Sequence, residues 1–178
     1  IGAGNSPYAS NSAFAGNPLL VDLKDLQRQG WLSDAEVLPT PRLLEQRVDY
    51  AEVRPYRMQR LALAAQRFQA LPAQDERRLR FAQFCLRHAA WLDDYALFMA
   101  LSEAHDFDEW CHWPSPLARR EPVALAQAAT QHAERIAFWK FCQWCFFRQW
   151  LALKAYANGR GVEIIGDAPI FIAYQSAE

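Results

Sequence analysis

The stretch AFWKFCQWCFFRQWLALKAYA, residues 137–157, sets the tightest limit on what this chain can fold into. It has neither glycine nor proline, and at helical spacing it is apolar on nearly every side. A helix of that kind is buried among other elements rather than laid on a surface. We read it as the second half of one long helix from Glu121 to Asn158, stopped by Gly159 and Gly161. It is not a membrane span, because its unbroken apolar runs, such as Trp144 to Phe147, fall far short of the roughly 20 residues needed.

The rest of the chain supplies helices to surround it. Residues 1–18, IGAGNSPYASNSAFAGNP, are rich in Gly, Ser, Asn and Pro and read as loop. Tyr8 and Phe14 stand in that loop either as an aromatic binding platform or as two rings anchored inward. Residues 19–29 begin extended and become helical, and Gly30 and Trp31 break the run. Ser33 and Glu36 have capping-box spacing. Thr40 and Pro41 are placed to open a helix, and apolar residues recur helically from Leu43 to Leu71, with a kink allowed at Pro55. Residues 75–104 give two helices, one presenting Phe81, Phe84, Cys85 and His88, the next Leu92, Tyr95, Ala96 and Met99. His105 to Pro122 is irregular.

The last 18 residues change character. VEII and PIFIA, around Gly166, Asp167 and Pro169, read as one buried strand. A strand with continuous hydrophobicity belongs in a parallel sheet covered on both faces, yet no other strand of comparable quality is present. The expectation is therefore an excerpt of a larger α/β protein.

Composition narrows the function. With 19 basic and 20 acidic residues the formal net charge is −1, without the basic excess of a nucleic-acid binder. Four cysteines are too few for a disulfide scaffold. Cys142 and Cys145 form a CxxC inside the apolar helix, where cysteine behaves as a small hydrophobe. The run His105 to His112 holds several possible metal ligands, including Asp106, Asp108, Glu109 and Cys111, but in no helical register. No metal and no cofactor is expected. There is no GxSxG elbow, and Gly2-x-Gly4 lacks the third glycine and the strand of a dinucleotide site. Asp93-Asp94 and Asp75-Glu76 read as solvated faces or caps. Asp167 stands apart, because a carboxylate in a buried strand is costly unless bonded or used. A structural aspartate held by backbone amides and a ligand-facing one are both open readings.

Three blocks carry a resemblance. SPYASNSAFAGNPLLVDL (6–23), WLDDYALFMAL (91–101) and FCQWCFFRQWLALKAYANGRGVEIIGDAPIFIA (141–173) resemble, in order, segments of the 4-alpha-glucanotransferases, or amylomaltases, of glycoside hydrolase family 77. The resemblance implies a partial (β/α)8 barrel, with mostly a helical insertion between the second and third barrel strands and one buried strand near the C-terminus. It divides the chain into a substrate-cleft loop at 1–23, an inserted helical subdomain at 24–158, and a barrel strand with its following loop at 159–178. A full barrel needs about 250 residues, so 178 cannot close one.

The activity implied is transfer of a segment of an α-1,4-glucan to an acceptor glucan by a retaining mechanism. The partners implied are α-1,4-glucans and maltooligosaccharides, with no nucleic acid and no membrane. The nucleophile and acid/base carboxylates are expected beyond Glu178, so no catalytic residue is assigned and the chain alone is expected to be inactive. Carried over by the motif matches are four glucan-binding residues: Ser6, Tyr8, Asp167 and Ser176. Gln175 stands where many relatives have Asp or Asn, and Ala3 where some have an aromatic. The competing reading is a non-catalytic helical module that binds carbohydrate or protein. Unpaired cysteines and the absence of a signal-peptide pattern suit a cytoplasmic location, though the first residue is not Met.

Overall fold

The computed structural model describes residues 6, 10–39, 43, 47–167 and 175–177. The helices are α1 (Leu23–Arg28), α2 (Asp34–Val37), α3 (Tyr50–Gln69), α4 (Glu76–Arg87), α5 (Ala89–Ala104), α6 (Ser115–Ala118), α7 (Pro122–Gln131) and α8 (Ala133–Asn158). Among the described residues, short 3-10 turns stand at Pro18–Leu20 and Trp110–His112. The Thr40 and Pro41 helix start lies outside the described residues.

The chain forms two compact units. One contains residues 16–83 and 141–165. Its core is aromatic: Trp31 meets Phe68 edge-on at 5.2 Å and Phe141 at 5.6 Å, and Phe68 packs on Trp144 at 5.1 Å. Such tilted and edge-on pairs satisfy the ring quadrupoles while burying large surfaces. Local chemistry delivers Trp31 to that core. Gly30 takes φ +78°, its N–H donates to Gln27 O at 2.8 Å, and Trp31 N–H donates to Leu26 O at 3.0 Å. Those two bonds close α1 in a Schellman motif, which needs a left-handed residue where Gly30 sits. α2 then starts on its capping box, with Ser33 N–H donating to Glu36 Oε2 at 2.7 Å.

Two glutamines of α8 hold the incoming chain of this unit. Gln143, fully buried, accepts from Gly16 N–H at 2.8 Å and donates to Gly16 O at 2.9 Å. Gln149 repeats the pattern on Asp22, accepting from its N–H at 2.7 Å and donating to its carbonyl at 3.2 Å. Each amide acts as a strand edge would, satisfying one backbone donor and one acceptor.

The other unit contains residues 1–15, 84–140 and 166–178. Leu92, Tyr95, Ala96 and Met99 of α5 are buried, as the periodicity requires, and Tyr95 meets Trp139 edge-on at 6.3 Å. Glu103 accepts from Arg135 Nε and Nη2 at 2.7 and 2.6 Å, and from the Trp139 indole at 3.3 Å. A second cluster gathers Leu101, Trp113 and Ala128, with Phe98, Trp110 and Leu117 packed against it.

Three expectations are corrected. The helix expected from Glu121 to Asn158 is two, because α7 ends at His132, whose N–H donates to Ala128 O, and α8 starts afresh. The apolar stretch of α8 is buried only in part: Phe138 to Cys145 are inside apart from half-buried Lys140, but Leu151, Leu153 and Tyr156 are more than half exposed.

The α/β expectation, with its partial barrel and buried strand, is also overturned. Among the described residues there is no strand, and the fold is helical. Residues 162–167 are irregular and exposed, Ile165 at 93%. PIFIA lies outside the described residues. A β-branched run becomes a strand only when a neighbour completes its hydrogen-bond ladder, and no described segment does so here.

Candidate functional site

The site sits in the unit that joins residues 1–15, 84–140 and 166–178. Its first wall is the loop before Ala15. Ser10 Oγ accepts from Ser12 N–H at 3.1 Å, and Ser12 Oγ accepts from Phe14 and Ala15 N–H at 3.1 and 3.2 Å. These short side-chain turns explain why the loop is rich in serine. They present Phe14 outward, 58% exposed, so the inward-anchored reading fails for that ring. Asn11 O accepts from Ala177 N–H at 2.9 Å, and Asn11 Nδ2 reaches Met99 Sδ at 3.8 Å. The loops at the two ends of the sequence thus meet on α5.

Between them lies a cavity of about 330 Å³, lined by Phe14, Ala90, Trp91, Asp94, Tyr95, Arg120 and Ala177. Phe14 stacks on Trp91 at 6.3 Å with the planes 25° apart. Asp94 and Arg120 pair across the rim at 2.9 Å. Arg120 follows the end of α6 at φ +54°, a position that glycine usually fills. A non-glycine residue there costs about 1 kcal/mol or more, and its guanidinium is what reaches Asp94. Flat apolar faces beside a few fixed charged groups form a surface on which a polyhydroxylated ring can stack and bond.

In the same unit, Glu109 and the Trp110–His112 turn that follows it bring together Glu109, Cys111 and His112, whose ligand atoms lie within 4.8 Å of one another. Gln175 Nε2 donates to Glu109 Oε1 at 2.5 Å, so this side chain is engaged by a protein carboxylate.

The four sequence-assigned residues fall out unevenly. Ser6 is half-buried and Ser176 is buried, 7% exposed, next to the wall residue Ala177. Tyr8 lies outside the described residues. Asp167 is exposed in irregular chain, so the argument that burial forces a use for it does not hold. Sequence reasoning missed Trp91, Asp94 and Arg120. The available signal was Trp91 and Tyr95 four residues apart, with Asp94 between, which puts rings and carboxylate on adjoining helical faces.

Comparison with known proteins agrees along the whole chain. The sequence model of the 4-alpha-glucanotransferase family, glycoside hydrolase family 77, matches residues 1–178. The 4-alpha-glucanotransferase of Thermus thermophilus is 48% identical over 177 residues, covering 99% of this chain and 34% of that protein. That of Synechocystis sp. is 40% identical over 180 residues, covering 99% and 35%. An amylomaltase from Streptococcus agalactiae, solved in complex with acarbose, superposes with a TM-score of 0.86 at 34% identity, over 97% of this chain and 34% of that one. The chain spans about a third of the length of the curated relatives it matches.

Proposed function

The chain belongs to the 4-alpha-glucanotransferase family, glycoside hydrolase family 77, and from that premise we propose that the whole protein transfers a segment of an α-1,4-glucan to an acceptor glucan or glucose. The observation that carries the reading is the family match over all 178 residues, supported by the aromatic, ion-paired cavity where both end loops meet.

The chemistry is a retaining double displacement. A carboxylate attacks the anomeric carbon while a carboxylic acid protonates the departing glycosidic oxygen. The acceptor hydroxyl, deprotonated by that same second residue, then displaces the enzyme. Both carboxyl groups must stand about 5–5.5 Å apart. We assign them to the part of the whole protein that this chain does not span, which leaves this chain with a binding role and no turnover alone.

Within the chain, Ser6, Tyr8, Asp167 and Ser176 are the proposed glucan contacts. A tyrosine ring stacks on the apolar face of a glucose unit. Hydroxyl and carboxylate groups bond its hydroxyls, and exposure of Asp167 leaves that carboxylate accessible to sugar. The substrates proposed are α-1,4-glucans and maltooligosaccharides, in line with the acarbose complex of the Streptococcus agalactiae relative. No disulfide joins the four cysteines, which suits a reducing compartment, and the cytoplasm is the proposed location. No described helix is long and apolar enough to cross a membrane.

The test is incubation of the whole protein with maltotriose. Glucose together with maltooligosaccharides longer than the substrate is the expected outcome. Glucose and maltose alone would mean hydrolysis, and no product from a folded protein would remove the transferase reading.

A further inference from the structure

The loop between α5 and α6 holds a group of side chains to which the proposed glucan site assigns no role. Glu109, Cys111 and His112 bring a carboxylate oxygen, a sulfur and an imidazole nitrogen within 4.8 Å of one another. We propose that these three residues form a binding site for a Zn²⁺-class divalent ion, with water completing a tetrahedral shell.

The donor chemistry selects the ion. Carboxylate, thiolate and imidazole are the ligands of zinc and its borderline neighbours, whereas Mg²⁺ and Ca²⁺ demand oxygen alone. Spacing agrees. Zn–S of about 2.3 Å and Zn–O of about 2.0 Å at a tetrahedral angle put sulfur and oxygen about 3.5 Å apart. Cys111 Sγ stands 3.6 Å from Glu109 Oε2.

The loop is fixed by contacts that do not involve the three ligands. Buried Trp113 donates its indole N–H to Asp108 O at 3.2 Å and stacks on His105 at 5.2 Å. Asp106 and Phe107 are held at φ +54° and +60°, conformations that side chains rarely adopt unless the surroundings impose them. Two ligands also have outer partners. Asp108 Oδ1 lies 3.1 Å from His112 Nδ1, and Gln175 donates to Glu109 Oε1. Carboxylate and amide partners of this kind orient metal ligands. Through Gln175 the ion would tie this loop to residues 175–177.

The test uses the whole protein, stripped with a chelator and titrated with Co²⁺ as a spectroscopic stand-in for Zn²⁺. Expected is one equivalent per chain, with a thiolate-to-cobalt charge-transfer band and visible bands of tetrahedral intensity. Zn²⁺ should abolish both, and excess Mg²⁺ should abolish neither. Cys111→Ser should remove the charge-transfer band, and His112→Ala should weaken binding by about tenfold or more. Cys85→Ser should leave the spectrum unchanged, and circular dichroism should show all variants folded. No band, a band that survives Cys111→Ser, or half an equivalent per chain from two Cys111 thiols sharing an ion would each overturn the site.

Discussion

Replacing Gln143 by Leu tests what holds the incoming chain against α8. The substitution keeps a buried side chain of similar size and deletes both bonds to Gly16, at 2.8 and 2.9 Å. Each neutral hydrogen bond contributes about 1 kcal/mol net, so the pair contributes about 2 kcal/mol. Gly16 is half-buried, so water partly replaces what its N–H and C=O lose and limits the added penalty to about 1 kcal/mol. The sum, about 2–3 kcal/mol, lowers Tm by about 4–12 °C for a chain of this size. The assay is guanidinium unfolding followed by helical circular dichroism, with thermal melting alongside. Gln149→Leu is the internal control: its bonds to Asp22 are solvent-exposed, so about 1 kcal/mol or less is expected. A loss below about 0.5 kcal/mol for Gln143→Leu, or equal losses for the two variants, would refute the reasoning.

Other substitutions probe the same account. A Cβ on Gly16 would lie 2.0 Å from the Phe146 ring, so Gly16→Ala should cost about 1–3 kcal/mol, and Phe146→Leu in the same chain should recover part of it. Arg67 beside Glu36 and Arg77 beside Asp75 hold both carboxyl groups down at about 2. Their folded values lie below the ordinary 4.5 and 3.8, so their stabilisation is complete above about pH 4.5 and is lost as pH falls towards 2. An acid titration of Glu36→Gln should therefore fall less steeply than wild type between pH 4.5 and 2, and parallel curves would contradict the pairing. Under native conditions an alkylating agent should label exposed Cys111 first. Burial pushes the Cys85 thiol up to about 11 and Cys145 higher still, so both, with buried Cys142, should react mainly after unfolding.

Features decided by neighbours in sequence were readable from it. The α5 face, the Ser33 and Glu36 box and the Gly30 break all depend on residues within a turn or two of each other, whereas the segment expected to be irregular from His105 to Pro122 holds a 3-10 turn and the short helix α6. The strand failed because its existence depends on a partner that residues 162–167 do not name. The break at His132 carries no glycine or proline to announce it. The cavity escaped notice because Phe14, Trp91, Arg120 and Ala177 come from four separate stretches. Reading Cys142 and Cys145 as small hydrophobes fits their full burial. The Glu109, Cys111 and His112 group has no α-helical register to announce it, because it forms around a 3-10 turn and the residue before it, with a three-residue period.

The central claim is that both ends of this chain serve a glucan-transfer site in the whole protein. Its most direct measurement is kcat/KM for maltotriose disproportionation by wild type, Asp167→Asn and Tyr8→Ala, with Tm recorded for each. The account predicts transfer by wild type and losses of about tenfold or more in both variants at unchanged Tm, since each deletes about 1.4 kcal/mol or more of substrate binding. Wild-type rates in both variants, or no transfer by the wild-type protein, would contradict it.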